Sequence, residues 1–171
     1  LYHSCEQFFK RRGMRTIEFS EFSVRQEKNQ KYLDITDHIQ QQATAWKLVD
    51  AMMHVLAKHT TCAVMIQETE SQLLRRDYLA TLLEKLASPT GYYAHDDPDT
   101  RTENLNPDEE ERKNGYAHIR AMLSRSDIGV PVQDGKLVLG TRQRILFFDF
   151  DNLNSIRTRH IHVTAIRNVE H

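Results

Sequence analysis

HTTCAVMI, residues 59–66, is the stretch on which the fold turns. Short, β-branched or apolar side chains follow one another over strand length, which fits a largely buried strand. Side chains alternate across a strand, so His59, Thr61, Ala63 and Met65 are expected on one face and Thr60, Cys62, Val64 and Ile66 on the other. His59 stands at the entrance of that strand.

Working upstream, Ile17, Phe19 and Phe22 mark a strand over 16–24, and Tyr32, Leu33 and Ile35 a second short run beyond the polar linker 25–30. Together they predict a hairpin. Thr36 or Asp37 is placed to cap a helix, because a short side-chain oxygen accepts from first-turn amides. Ile39, Ala43, Trp46, Val49, Met53 and Leu56 then recur every three or four residues as its core stripe, which puts His38 and His54 on the same helix. Downstream, Leu74, Tyr78, Leu82 and Leu86 at four-residue intervals predict an amphipathic helix that Pro89-Thr90-Gly91 ends.

Residues 92–117 are the polar centre of the chain: Asp96, Asp97, Asp99, Glu103, Asp108, Glu109, Glu110 and Glu111 face only Arg101, Arg112 and Lys113. Asn106 as cap with Pro107 at the first helical position would begin a helix whose acidic first turn complements the dipole. A loop of this length inside a compact domain is equally a place for function. Asn114-Gly115 breaks the pattern before the segment 118–123. Short strands are expected at 128–132, 136–139, 145–150 and 159–166, with Asp134-Gly135 as a hairpin turn. The sum is an α+β domain with an antiparallel sheet system, read as an N-terminal extension over 1–15 and a single domain over 16–171.

Composition excludes several classes of function. The 171 residues are 39% apolar and 27% charged, enough to bury a core. Lys plus Arg number 23 against 24 for Asp plus Glu, so no global field recruits nucleic acid or an anionic membrane. No apolar run reaches the roughly 18 residues of a membrane helix. Cys5 and Cys62 lack Cys-x-x-Cys spacing and are too few for a disulfide scaffold, which favours a reducing, cytoplasmic setting. Lys10, Arg11, Arg12 and Arg15 leave room for a targeting remnant. The six glycines form no phosphate loop.

Nine histidines remain to be sorted. His3 and His171 lie near termini, and His160 and His162 share a strand face beside Arg157 and Arg159. His59, His95 and His118 sit where the sequence changes character, at loop edges, although their intervals match no compact zinc motif.

The ordered motifs around them resemble the YjbQ-like family, also described as secondary thiamine-phosphate synthase enzymes. The resemblance is carried by His59-Thr60-Thr61 with Ala63 and Glu68, Tyr93-Ala94-His95-Asp96, and Asn114-Gly115-Tyr116-Ala117-His118-Ile119. It continues through Val130-Pro131-Val132, Asp134-Gly135-Lys136-Leu137, Leu139-Gly140-Thr141, Gln143, Arg157 and Arg159. It implies an antiparallel two-sheet β-sandwich with flanking helices, assembled as a homotrimer, in which His59, His95 and His118 cluster. Three neutral imidazoles suit zinc or a similar divalent ion with positions left open, and protonated ones suit phosphate or sulfate.

By the same resemblance Glu68, Asp96 and Arg159 are the candidate catalytic groups, and Thr60, Asn114, Arg142 and Gln143 the candidate ligand contacts. Three departures bear on substrate choice: Gln67-Glu68-Thr69-Glu70-Ser71 stands where the family has an Asn-Glu-Asn-type segment followed by Asp-Pro, Arg142 stands where it has tryptophan, and 97–113 is longer and more acidic than the family connection. Two functions follow. One is an enzyme of thiamine-phosphate-synthase type acting on a phosphorylated small molecule. The other is a non-catalytic trimer that holds a metal or an anionic metabolite.

Overall fold

The computed structural model describes residues 15–27, 30, 32–105, 111–152 and 156–168. Among the described residues eight strands form two antiparallel sheets: β1 (Arg15–Gln26), β2 (Leu33–Asp34), β3 (Ala51–Ala57), β4 (Cys62–Gln67), β5 (Asp127–Gln133), β6 (Lys136–Leu137), β7 (Arg144–Asp149) and β8 (Arg157–Asn168). The larger sheet runs β1-β8-β3-β5-β6 and the smaller β2-β7-β4. The mixed α+β architecture with two antiparallel sheets agrees with the sequence reading.

Residues 62–66 explain the layering; 59–61, expected within the strand, form instead the turn before it, in which the Cys62 amide donates to the His59 carbonyl. In β4, Cys62 and Val64 enter one core cluster with Met53, Val55, Ile145, Phe147, Ile161 and Val163, while Ala63 enters another with Leu146, Phe148 and Phe150. Alternating faces of β4 and β7 thus serve two cores, one against the larger sheet and one against helices. α1 (Thr36–Ala45) adds Ile39 and Ala43 to the first. A π-wound helix (Gln72–Leu83), continued by α2 (Glu84–Leu86), and α3 (Gly115–Leu123) close the second, through Leu74, Leu79, Leu83, Tyr116 and Ala117.

Four expectations need correction. β1 makes no hairpin with β2: it pairs over its full length with β8, and β2 pairs with β7. Neither Thr36 nor Asp37 is the cap of α1; Asp34 accepts from both the Thr36 amide and its hydroxyl. The stripe from Ile39 to Leu56 is not one helix. Lys47 adopts a left-handed φ of 53°, and the Leu48 amide donates back to the Ala43 carbonyl, which closes the helix C-terminus. Met53, Leu56 and His54 therefore belong to β3. In the π-wound helix the wider turn buries Leu74, Leu79 and Leu83, leaving Leu82 and Leu86 exposed. The helix start expected at Asn106-Pro107 and most of the extension over 1–15 lie outside the described residues.

Candidate functional site

A cavity of about 1200 Å³ opens where β4 begins. Its walls include His59, Thr60, His95, Arg101, Glu103, Glu111, Arg112, Asn114, His118 and Met122. The three histidines named from the sequence therefore do face one space. They reach it from a turn before β4, a 3-10 turn (Ala94–Asp96) and α3.

Local chemistry brings two of them together. Asp96 Oδ1 accepts from the backbone amides of Asn114 and Gly115, at 2.9 and 2.8 Å, so the 3-10 turn is tied to the open amides of the α3 N-terminus. Gly115 permits the approach: a Cβ there would lie 2.5 Å from Tyr93 Cβ. As a result the His95 and His118 rings stand 4.6 Å apart between centroids. Asp96 acts on the site as a positioning residue, through this tie.

The hydrogen bonds assign the rings' roles. His59 Nε2 accepts from the His160 backbone amide at 2.8 Å, which puts the ring proton of neutral His59 on Nδ1. Arg101 Nη1 lies 3.4 Å from His95 Nε2; a guanidinium only donates, so His95 likewise carries its proton on Nδ1. The Thr60 backbone favours a proton on His118. Burial holds both His59 and His118 below the ordinary histidine value, with Arg159 adding to the effect at His59, and His95 and Arg101 at His118. Both are neutral at pH 7.

This donor set can be tested against a metal ion. Ligation needs a ring lone pair, and at His59 and His95 the lone pair already accepts from a protein donor. Among the described residues no group of three His, Cys, Asp or Glu side chains is arranged to hold an ion. As arranged, the three histidines do not fit a shared metal. The Nδ1 protons of His59 and His95 and the guanidinium suit an oxyanion instead.

The remaining sequence-named residues divide by position. Thr60 and Asn114 line the cavity, and Asn114 Nδ2 also donates to Asp151. Arg159 is buried behind it in a two-bond pair with Asp149, at 2.7 and 3.0 Å. Glu68, Arg142 and Gln143 lie beyond the other end of β4 and β7, where Gln67 pairs with Arg144 rather than Cys62 with Asp149. Strands of this size span about 17–20 Å, so these three stand away from the histidines. Arg142 approaches Glu68 at 3.5 Å, and Gln143 accepts from the Gly140 amide. Cys62, read as packing, is a buried thiol pushed up by burial, with the Asp149 charge adding to the effect.

The sequence reading missed Arg101, Glu111 and Arg112 as site residues. Their signal was present: they are charged residues of the long polar segment, two of them among its few cations. Arg101 is held by the Glu103 and Asn104 carbonyls, by Glu111 at 2.7 Å and by its approach to His95.

Known proteins agree with this architecture. The family model described as "UPF0047 protein YjbQ-like" matches residues 20–168. A UPF0047 protein of Archaeoglobus fulgidus is 34% identical over 146 residues, covering 85% of this chain and 99% of its own. One from Methanothermobacter thermautotrophicus is 27% identical, covering 81% and 87%. Among solved structures, a YbjQ-like protein of unknown function from Sulfolobus solfataricus superposes with a TM-score of 0.72 at 24% identity, covering 90% of this chain and 99% of its own. That likeness speaks for the fold. A yjbq/upf0047 family protein from Clostridium acetobutylicum gives 0.67 at 27% identity, covering 88% and 99%.

Proposed function

The chain belongs to the YjbQ-like UPF0047 family, and from that premise we propose that its cavity binds a phosphorylated small molecule and supports transfer of the thiamine-phosphate type. The observation that carries this reading is the cation set against paired rings: Arg101 3.4 Å from His95, and His95 beside His118, in a cavity that Arg112 also lines. In that reaction the bond from the aminopyrimidine's methylene carbon to the diphosphate oxygen breaks, its electron pair leaving with diphosphate. The thiazole nitrogen's lone pair forms the new carbon–nitrogen bond. Arg101 and Arg112 would neutralise the departing diphosphate, and the Nδ1 protons of His59 and His95 would donate to its oxygens. Thr60 and Asn114 supply polar contacts at the wall.

Purified protein is expected to form thiamine phosphate from the two phosphorylated precursors, and His118→Ala to lower the rate. No product from the intact protein, while inorganic phosphate still binds, would reduce the function to that of a binding protein. Neither product nor phosphate binding would end the reading.

A divalent ion, zinc or similar, is a second reading favoured by one contact. The Thr60 backbone favours a proton on His118, and metal-bound histidines commonly give their second ring N–H to such an acceptor. It requires His59 and His95 to exchange their donors, and metal analysis of the native protein decides it.

The proposal includes a homotrimer in a reducing, cytoplasmic setting without nucleic-acid partners. Supporting assembly, Ile17, Ile166 and Met52 are register partners across β1, β8 and β3, and are 62%, 45% and 47% exposed, with Phe19 nearby at 72%. Such a row on a sheet face suits a subunit contact. Light scattering should give three copies, and Phe19→Glu should lower that number. No helix among the described residues is long and apolar enough to cross a membrane.

A further inference from the structure

We propose that Glu111 is a built-in competitor for the ligand: its carboxylate occupies Arg101 at the position an incoming phosphate takes, and binding exchanges one oxyanion for the other. This rests on the phosphate-binding reading above and adds a regulatory contact to it.

The geometry separates what fixes Arg101 from what can leave it. The guanidinium plane is set by two backbone carbonyls, with Nε donating to Glu103 at 3.3 Å and Nη2 to Asn104 at 3.1 Å. These persist whichever anion is present. The remaining nitrogen, Nη1, lies 2.7 Å from Glu111 Oε2 and 3.4 Å from His95 Nε2. Glu111 therefore places a carboxylate oxygen on the same nitrogen that approaches the histidine pair. A phosphate oxygen replacing it would make the same charge-assisted bond, on a nitrogen that also approaches His95.

Exposure makes the exchange practicable. The Arg101 side chain is 16% exposed and that of Glu111 41%, so the carboxylate stands on the solvent side of the pair while the arginine is sheltered. Partly exposed ion pairs are weak enough to trade partners, whereas buried ones are not. Until ligand arrives, Glu111 keeps Arg101 paired; afterwards its displaced negative charge sets a threshold that only a strongly charged ligand overcomes.

The test measures inorganic phosphate binding by calorimetry at low salt. Glu111→Gln, which removes the charge and keeps the shape, is expected to bind about fivefold more tightly than the intact protein, the range of one partly exposed ion pair. Glu103→Gln removes the same charge from the same cavity wall without touching Nη1, and is expected to change affinity less than about twofold. A phosphate-soaked crystal of the intact protein should show Nη1 on phosphate and Glu111 turned away.

If the intact protein binds phosphate and His118→Ala weakens it, yet Glu111→Gln gains nothing or Glu103→Gln gains as much, the competitor role is wrong and the binding reading stands. Glu111 still on Nη1 in the soaked crystal overturns the competitor role as well, and that observation needs no variant to fold. If neither the intact protein nor Glu111→Gln binds phosphate, both fall.

Discussion

Two arginine–carboxylate assemblies lie close to the turn before β4, and they differ in almost everything but chemistry. Behind Thr61, Arg159 and Asp149 are 9% and 1% exposed and joined by two hydrogen bonds, with Asp151 held by Arg157 at 2.6 Å. In the cavity, Arg101 and Glu111 are joined through Nη1 and keep partial contact with solvent. The first pair stands on β7 and β8, whose registers are set along their lengths. The second stands on a loop. A strand-borne buried pair holds shape, and a loop-borne, half-exposed pair is suited to take part in binding.

The largest effect should come from breaking the buried assembly. Asp149→Ala leaves the Arg159 guanidinium without its two-bond partner and should cost about 3–5 kcal/mol in urea unfolding. Replacing both, as Asp149→Leu with Arg159→Met, should recover much of that loss, because no charge is then left unpaired. A single variant as stable as the parent would abolish the contrast.

Next comes the junction that carries His95 to His118. Gly115→Ala forces a Cβ to 2.5 Å from Tyr93 Cβ, an overpacking worth about 1–3 kcal/mol, and should weaken phosphate binding by moving the rings apart. Asp96→Ala removes the acceptor of two amides at the α3 N-terminus and should cost about 1 kcal/mol. Asp96→Asn keeps an acceptor and should restore most of that stability, and phosphate binding with it.

How much of the molecule is legible in its sequence follows from range. The alternation of β4 is local, so 62–66 reads as a buried strand with distinct faces, whereas 59–61, expected to alternate within it, form the turn before it; the loop-edge histidines all line one cavity. Long-range pairing is not local. Nothing near β1 marks β8 as its partner, and the hairpin was expected for want of that information. Periodicity also misled where backbone detail decides, as with the left-handed Lys47 that ends α1 and the π-winding that moves burial from Leu82 to Leu83. Arg101 and Glu111 were visible only as charges in a polar segment, because what distinguishes them is who faces them in space.

pH offers a subtler probe of the cavity. Both His59 and His118 have folded pKa values below the ordinary 6.5. The unfolded chain then takes up protons first as pH falls, so stability contributed by these neutral rings is present above about 6.5 and is lost as pH drops through their folded values. Phosphate reverses the preference by favouring imidazolium. Its affinity should rise as pH is lowered from about 8 through the same window, and His118→Ala should flatten that rise. An unchanged slope in the variant would assign the protons elsewhere.

The smallest expected effect is the most informative about assembly. Arg142, with a side chain 79% exposed, and Glu68 approach at 3.5 Å, an exposed pair at the far end of β4 and β7. Within one chain, Arg142→Ala should change stability by less than about 0.5 kcal/mol and leave phosphate affinity unaltered, because the residue stands apart from the cavity. A homotrimer could change that result, since a neighbouring copy can bring its far end onto another's cavity. A loss of phosphate affinity in Arg142→Ala, restored in mixed trimers by a copy that retains Arg142 but lacks His118, would place the arginine across a subunit boundary. The two ends of the strand would then be halves of one site, and the contrast between buried shape and exposed binding would hold between chains as well as within one.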